Sequence, residues 1–246
     1  MNTNEYNDPK KSLVLFGLEN KLDFLIKLYN SKKLPKVLML TGKKGVGKFT
    51  LINHFLTYIF DKDNYDLKER TINPHTPFYI QYSNTIFPNI IYLSGNKYKN
   101  IKIDDIRNLK STILKSSMIN QDRFIVLDDI ELFNQNSLNA LLKILEEPPK
   151  KCLIMLISHN LSQLLPTILS RCTKLRFSRL SRENMDVLLE FNFPHIGDKQ
   201  REFLNIIAEG RIGHAISLVD EGGLDVYEKL IPLTVCVASA VGIALI

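Results

Sequence analysis

The sequence predicts an α/β fold in which a parallel sheet is flanked by helices and followed by a small helical domain. Two observations carry this prediction. Five short segments that are apolar almost throughout alternate with helical patterns, which is typical of a parallel sheet covered on both faces. A glycine-rich loop also lies between the first of these segments and a helical pattern.

The predicted strands are short apolar runs that end in polar or charged residues. The first follows Pro35 and enters the glycine loop, and the third ends at two consecutive aspartates. Because most of these runs are apolar with no regular alternation of polar and apolar residues, we expect strands buried on both faces. The five strands are predicted at Val37–Thr41, 89–94, 124–127, 153–157 and 174–177.

Helices are predicted between the strands, at 49–60, 103–115 and 137–147. The last has the clearest pattern, with four leucines at i, i+3, i+4 and i+7 from Leu138 and a Pro-Pro pair that ends it. The insertion at 61–100 mixes polar and aromatic residues, and apart from the strand at its end we expect it to be irregular.

The character of the chain changes after residue 177. Ser181 can cap a helix at 184–191, and further helices are predicted at 200–209 and 213–219. We therefore expect a sheet domain at 1–178, a helical lid domain at 179–222 and an apolar tail at 223–246. The last sixteen residues carry no charge but are too few to span a bilayer, so we expect a helix packed against protein.

Composition and charge leave several functional classes open and exclude others. The net charge is +6, and residues 1–50 hold ten lysines and four acids, which fits either a solvated surface or a nucleic-acid face. Three dispersed cysteines indicate reduced thiols in a cytosol. There is no C-x-x-C pair and no histidine spacing typical of ligands, so we expect no zinc and assign no residue as a metal ligand, while ATP with magnesium stays open as a cofactor.

The stretch TGKKGVGKFT, residues 41–50, nearly matches the phosphate-binding loop G-x-x-x-x-G-K-[ST]. Its glycines let backbone N–H groups approach phosphate oxygens, and Lys48 can reach the terminal phosphates of a nucleotide. Phe49 stands where a hydroxyl would ligate magnesium, and Thr50 is turned about 100° away along the helix. Two interpretations remain open: weakened magnesium-dependent hydrolysis of ATP, or nucleotide binding without turnover.

Two further motifs bear on phosphate chemistry. Asp128 ends a strand where a magnesium-binding carboxylate belongs, and Asp129 replaces the longer glutamate that would activate water. Arg171, between Ser170 and Cys172, is either a surface arginine or an arginine finger that serves a neighbouring subunit. The candidate nucleotide-binding residues are Gly42, Gly45, Gly47, Lys48, Thr50, Asp128 and Asp129.

As a set, these motifs resemble the clamp-loader branch of the AAA+ ATPases. The segments NALLKILEEPP at 139–149, LLPTILSRC at 164–172, LDDIE at 127–131 and GRIGHAISLV at 210–219 carry the resemblance, which covers about 12–220. Among clamp-loader subunits the chain looks most like the delta-prime subunits of bacterial DNA polymerase III. It lacks the four-cysteine zinc module of many relatives, and it stops about where the family's collar domain begins, so we expect that domain to be largely absent.

The resemblance implies a role for each motif. The glycines and Lys48 would form a phosphate site, Asp128 would be the Walker B carboxylate, and Ser158 or His159 would lie at the sensor position. Arg171 would act in trans on the ATP of an adjacent subunit. Gly213 stands where ATPase subunits of the family place a phosphate-sensing arginine.

Three functional hypotheses follow. The first is an accessory clamp-loader subunit, cytoplasmic and not in contact with membrane, with weak or no hydrolysis of its own. Its partners would be the other subunits of a hetero-pentamer, the sliding clamp and primer-template DNA. The second is an active gamma/tau-like ATPase that binds ATP and magnesium tightly. The third is a DNA-binding module that uses the N-terminal lysines and shows salt-sensitive affinity.

Overall fold

The computed structural model describes residues 11–96, 104–106 and 122–229. A five-stranded parallel sheet runs through the larger part of the described chain, in the order β4-β5-β6-β1-β7. A hairpin of two short strands lies outside it. The strands are β1 (Val37–Thr41), β2 (Tyr65–Asp66), β3 (Thr71–Ile72), β4 (Ile90–Ser94), β5 (Arg123–Asp128), β6 (Cys152–Ser158) and β7 (Thr173–Arg176).

All five predicted sheet strands are confirmed to within one or two residues. Burial on both faces holds for β1, β5 and β6 but not for the edge strand β7, where three of four residues are exposed. Successive residues of β1 serve opposite faces: Leu38 and Leu40 belong to one hydrophobic core, and Val37 and Met39 to the other. Helices α1 (Glu19–Asn30) and α2 (Lys48–Phe60) cover the first face, and α4 (Gln135–Glu146) and α5 (Pro166–Leu169) cover the second.

Two regions differ from the sequence predictions. Helix α1 was not among the predicted elements, although Leu22 and Leu25 give it a fully buried stripe at i, i+3. The insertion at 61–100 is more regular than expected, since besides the hairpin and β4 it contains α3 (Pro77–Ser83). Thr76 caps this helix, and its side chain accepts a hydrogen bond from the Tyr79 N–H. The Phe78 ring stacks on Phe60 of α2, so tertiary contacts order a segment with little pattern of its own.

Three helices follow the sheet: α6 (Arg182–Asn192), α7 (Asp198–Ala208) and α8 (Ile212–Asp220). They pack around a small core of their own that includes Met185, Leu189 and Leu204. The predicted cap is confirmed, since the Ser181 hydroxyl accepts a hydrogen bond from the Asn184 N–H. The domain limits at 178 and 222 stay predictions.

Some predicted segments fall outside the described residues. Only 104–106 of the helix predicted at 103–115 is described, and it is helical there. The uncharged segment 231–246 also lies outside. Among the described residues, no helix has the length and apolar character needed to cross a membrane.

Candidate nucleotide-binding site

The carboxyl ends of four strands bring the candidate nucleotide-binding residues to one edge of the sheet. Thr41 at the end of β1 pairs with Ser158 at the end of β6, and Ser94 at the end of β4 pairs with Asp128 at the end of β5. The glycine loop follows Thr41. In parallel sheets this edge is where ligands bind, and it is called the nucleotide edge below.

The glycine loop has a backbone that only glycine adopts readily. Gly42, Gly45 and Gly47 have positive φ values of 149°, 87° and 85°. A Cβ atom on Gly42 would lie 2.6 Å from the carbonyl oxygen of Phe177. Gly47 caps α2, so the positive end of that helix begins at the loop, as a phosphate cradle requires.

Lys48 turns its ammonium group back into the loop. Its Nζ donates hydrogen bonds to the carbonyl oxygens of Gly42 and Lys43, the second at 2.7 Å. The residue is only 3% exposed. Burial lowers the pKa of Lys48 to about 8, although Asp128 and Glu131 nearby favour the charged form.

Phe49 places an aromatic ring where the motif would place a magnesium-binding hydroxyl. The ring meets Tyr92 edge to face, with centroids 5.2 Å apart. The Tyr92 hydroxyl donates a hydrogen bond to Asp128 Oδ2 at 3.2 Å. The glycine loop therefore fits phosphate. Phe49 and Asp128 do not fit the usual magnesium site, because Phe49 has no hydroxyl and the Asp128 carboxylate accepts a hydrogen bond from Tyr92.

His159 joins the two aspartates, a contact that the sequence did not predict. Its Nε2 lies 2.9 Å from Asp129 Oδ1 and 4.0 Å from Asp128 Oδ1, and Ser94 donates a hydrogen bond to Asp129 Oδ2. The ligand atoms of His159, Asp128 and Asp129 lie within 4.8 Å of one another, so the group could hold a cation. The resemblance named Ser158 or His159 for the sensor position, but it did not indicate this contact with the aspartates.

The pKa values of the two aspartates are shifted in opposite directions. Burial and the neighbouring Asp129 charge raise the pKa of Asp128 to about 6. Burial also tends to raise the pKa of Asp129, but its hydrogen bond and charge interaction with His159 outweigh that and lower it. Asp129 has a left-handed backbone with φ of 51°, which aims its carboxylate at His159 rather than outward.

The first turn of α8 rests directly on the glycine loop. The N–H of Gly213 donates a hydrogen bond to the Gly45 carbonyl oxygen at 3.0 Å. A Cβ atom on Gly213 would lie 2.8 Å from the Gly45 Cα, so any larger residue at this position would separate the two segments. Close contact between α8 and the loop thus depends on glycine at both positions.

Arg171 lies away from all of these residues. It precedes β7, which is parallel to β1, so it lies at the amino edge of the sheet, whereas the glycine loop follows β1 at the carboxyl edge. The four residues of β7 alone span roughly 13 Å. Its side chain is 32% exposed and forms an ion pair with Glu146.

Next to Arg171, the Cys172 thiol donates a hydrogen bond to the Ile168 carbonyl oxygen, and burial raises the pKa of Cys172 to about 11.

Comparisons with known proteins agree with this architecture. The family described as DNA polymerase III, delta subunit, matches residues 17–181. The DNA polymerase III subunit delta' of Pseudomonas aeruginosa is 41% identical over 76 residues, which are 31% of this chain and 23% of that protein. The subunit tau of Escherichia coli is 32% identical over 124 residues, which are 49% of this chain and 19% of that protein.

A solved structure extends the likeness to the fold. The DNA polymerase III gamma subunit-related protein of Thermotoga maritima superposes with a TM-score of 0.50 at 23% identity, over 79% of this chain and 57% of that one. The parallel sheet with its flanking helices thus has the AAA+ fold. The chain spans about a quarter or less of the length of the two curated relatives named above.

Proposed function

This chain belongs to the DNA polymerase III delta-subunit family, and from that premise we propose that it is a delta-prime-like accessory subunit of the clamp loader. In this role it helps to load the sliding clamp onto primed DNA in the cytoplasm. It supplies Arg171, flanked by Ser170 and Cys172, to the ATP site of an adjacent subunit. Its own hydrolysis of ATP is weak or absent.

The position of Arg171 carries the proposal. The guanidinium lies at the amino edge of the sheet, so it cannot reach a phosphate held by the glycine loop of its own chain. It is nevertheless accessible to solvent, since a third of the side chain is exposed. An arginine in this position can stabilise charge only on a phosphate that another molecule brings to it.

Three features of the nucleotide edge support weak hydrolysis. Phe49 replaces the hydroxyl ligand and packs on Tyr92, which holds the Asp128 carboxylate. Asp129 is bound to His159 and is shorter than the glutamate that would orient water. Gly213 offers no side chain to a phosphate. Positioning is most of the catalysis in phosphoryl transfer, so these features together argue against turnover.

The partners follow from the proposed role. An arginine that acts in trans requires an ATP-hydrolysing clamp-loader subunit beside it, within the hetero-pentamer. Sliding clamp and primer-template DNA are then met through the assembled complex. No residue of this chain is assigned to the polymerase reaction itself.

The decisive experiment reconstitutes the clamp loader with Arg171→Ala in this subunit. We expect single-turnover hydrolysis at the site served by Arg171 to fall roughly 1,000-fold, the lower end of what an arginine finger supplies. Arg182→Ala is the matched control, because Arg182 is also an exposed arginine paired with a glutamate. Unchanged hydrolysis and clamp loading with Arg171→Ala would remove the proposed role.

A second candidate is an active gamma/tau-like ATPase. The positive φ angles of the three loop glycines and the matching tau sequence favour it. It requires that the purified chain alone hydrolyse ATP with magnesium, and that Lys48→Ala abolish this activity. We expect instead no hydrolysis above background from the isolated chain, and no change with Lys48→Ala.

A further inference from the structure

All three nitrogens of the Arg171 guanidinium are bound within the chain. Nε and Nη2 both donate to Glu146 Oε1, at 3.1 and 2.5 Å. Nη1 donates to the Thr167 carbonyl oxygen at 2.7 Å and to the Ser170 hydroxyl at 3.3 Å. A guanidinium has five N–H donors, so at least three of them, and four if both Nη1 bonds are counted, are already used.

Glu146 stands where a carboxylate is unfavourable unless it is paired. It is the last residue of α4, at the negative end of the helix dipole. Glu147, the next residue, is exposed as well, yet the described ion pair is made by Glu146. The pairing with Arg171 therefore offsets a local cost and fixes the direction of the guanidinium.

We propose that Glu146 is a positioning residue that holds Arg171 within its own chain until a phosphate of the adjacent subunit displaces the carboxylate. This inference rests on the proposed function of Arg171 in trans. Glu146 touches neither nucleotide nor partner in this role, and it acts only through the arginine.

Replacing the Glu146 carboxylate by a phosphate costs little free energy, because the ion pair between Glu146 and Arg171 is exposed. The side chain of Glu146 is 49% exposed and that of Arg171 is 32% exposed, so water screens their attraction. Both bonds also end on one carboxylate oxygen, which is weaker than a pair of parallel bonds to two oxygens. A phosphate in a closed interface carries more charge in less water and can replace the carboxylate.

The test measures single-turnover ATP hydrolysis in the reconstituted clamp loader with Glu146→Gln or Glu147→Gln in this subunit. Both variants remove one negative charge from the same turn. Glu146→Gln should raise the rate about two- to fivefold with little change in the ATP concentration for half-saturation, the range an exposed ion pair supplies. Glu147→Gln should leave the rate unchanged. The alanine variants should repeat this difference, with a higher rate for Glu146→Ala and an unchanged rate for Glu147→Ala.

The same substitution in an Arg171→Ala background separates positioning from a general effect on the fold. If Glu146 acts through the arginine, Glu146→Gln has no effect on the rate once Arg171 is absent. An unchanged or lower rate with Glu146→Gln, or an equal increase in both backgrounds, would overturn the inference while leaving the finger in place. No loss of rate with Arg171→Ala alone would overturn the proposed function, and this inference with it.

Discussion

The nucleotide edge and the amino edge of the sheet where Arg171 lies, called the arginine edge below, both hold a cation against oxygen atoms of the same chain. Their environments are opposite. Lys48 is 3% exposed and is bound to backbone carbonyls inside a loop that α8 contacts. Arg171 is bound to a carboxylate at the surface, with a third of its side chain in water. One ammonium group is therefore part of the interior, and one guanidinium remains available.

The contrast shows how burial decides which charge can still act on a ligand. Groups at the nucleotide edge are tied into a buried network in which Tyr92 holds Asp128, and His159 holds Asp129, so a ligand must replace several bonds at once. Arg171 must exchange only weak, solvated bonds. Three stability measurements on the isolated chain test this difference, from the largest expected effect to the smallest.

Acid should destabilise the interior beside the nucleotide edge. His54 on α2 is fully buried, and burial lowers its pKa to about 4. The unfolded chain binds this proton below about pH 6.5, whereas the folded chain does not until about pH 4, so stability falls as the pH drops through this window. The loss attributable to His54 should reach roughly 3 kcal/mol near pH 4.

Urea unfolding of the wild type and of His54→Gln between pH 7 and 4 measures this loss. It is the difference between the two proteins in how steeply the free energy of unfolding falls with pH. His75→Gln is the control, because His75 is exposed. Equal slopes for all three proteins would mean that the interior around α2 admits water, and the contrast between the two edges would be weakened.

Asp128→Asn should stabilise the chain above pH 6. Because the folded pKa of Asp128 is raised to about 6, its ionisation costs stability as the pH rises from about 4 to 6, and the full cost remains above that. The shift alone corresponds to about 3 kcal/mol, but asparagine also weakens the bonds from Tyr92 and the Asp129 N–H, so we expect a gain of about 1–2 kcal/mol at pH 8. Thermal or urea unfolding at pH 8 and pH 4 measures it, with exposed Asp63→Asn as control. A loss at pH 8 would show that the carboxylate supports the fold.

Glu146→Gln should have the smallest effect on stability. The exposed pair contributes at most about 1 kcal/mol to folding, so the unfolding midpoint should stay close to that of Glu147→Gln. A loss of stability beyond about 2 kcal/mol, measured in urea at pH 7, would mean that the ion pair between Glu146 and Arg171 supports the fold and is not readily exchanged.

Much of the fold followed from local patterns. Most of the predicted sheet strands were apolar runs, and the leucines of α4 had helical spacing, so both signals were present in the sequence. Helix α1 was missed although its buried leucines carried a usable signal. The order within 61–100 could not be predicted, because stacked rings from α2 and α3 hold it and their contacts are set only on folding.

The candidate site was predicted less completely than the fold. Lys48, Asp128 and Asp129 were predicted because motif and strand end coincide, and the register of the sheet does bring Asp128 and the loop to one edge. Their role in nucleotide binding stays a prediction. That Tyr92 meets Phe49 and that His159 meets Asp129 had no local signal. The residues of each pair are 30 or more positions apart along the chain.

The sequence by itself determined which residue types each strand end and loop could offer, since a motif is a local arrangement of side chains. It identified Phe49, Gly213 and Arg171 as the informative positions. Only the tertiary structure decided what each one contacts. The parallel register puts Arg171 and the glycine loop at opposite edges of one sheet, and the packing of α4 beside α5 brings Glu146 to the arginine. Such pairings depend on how the elements pack in three dimensions, which the spacing of residues along the chain does not specify.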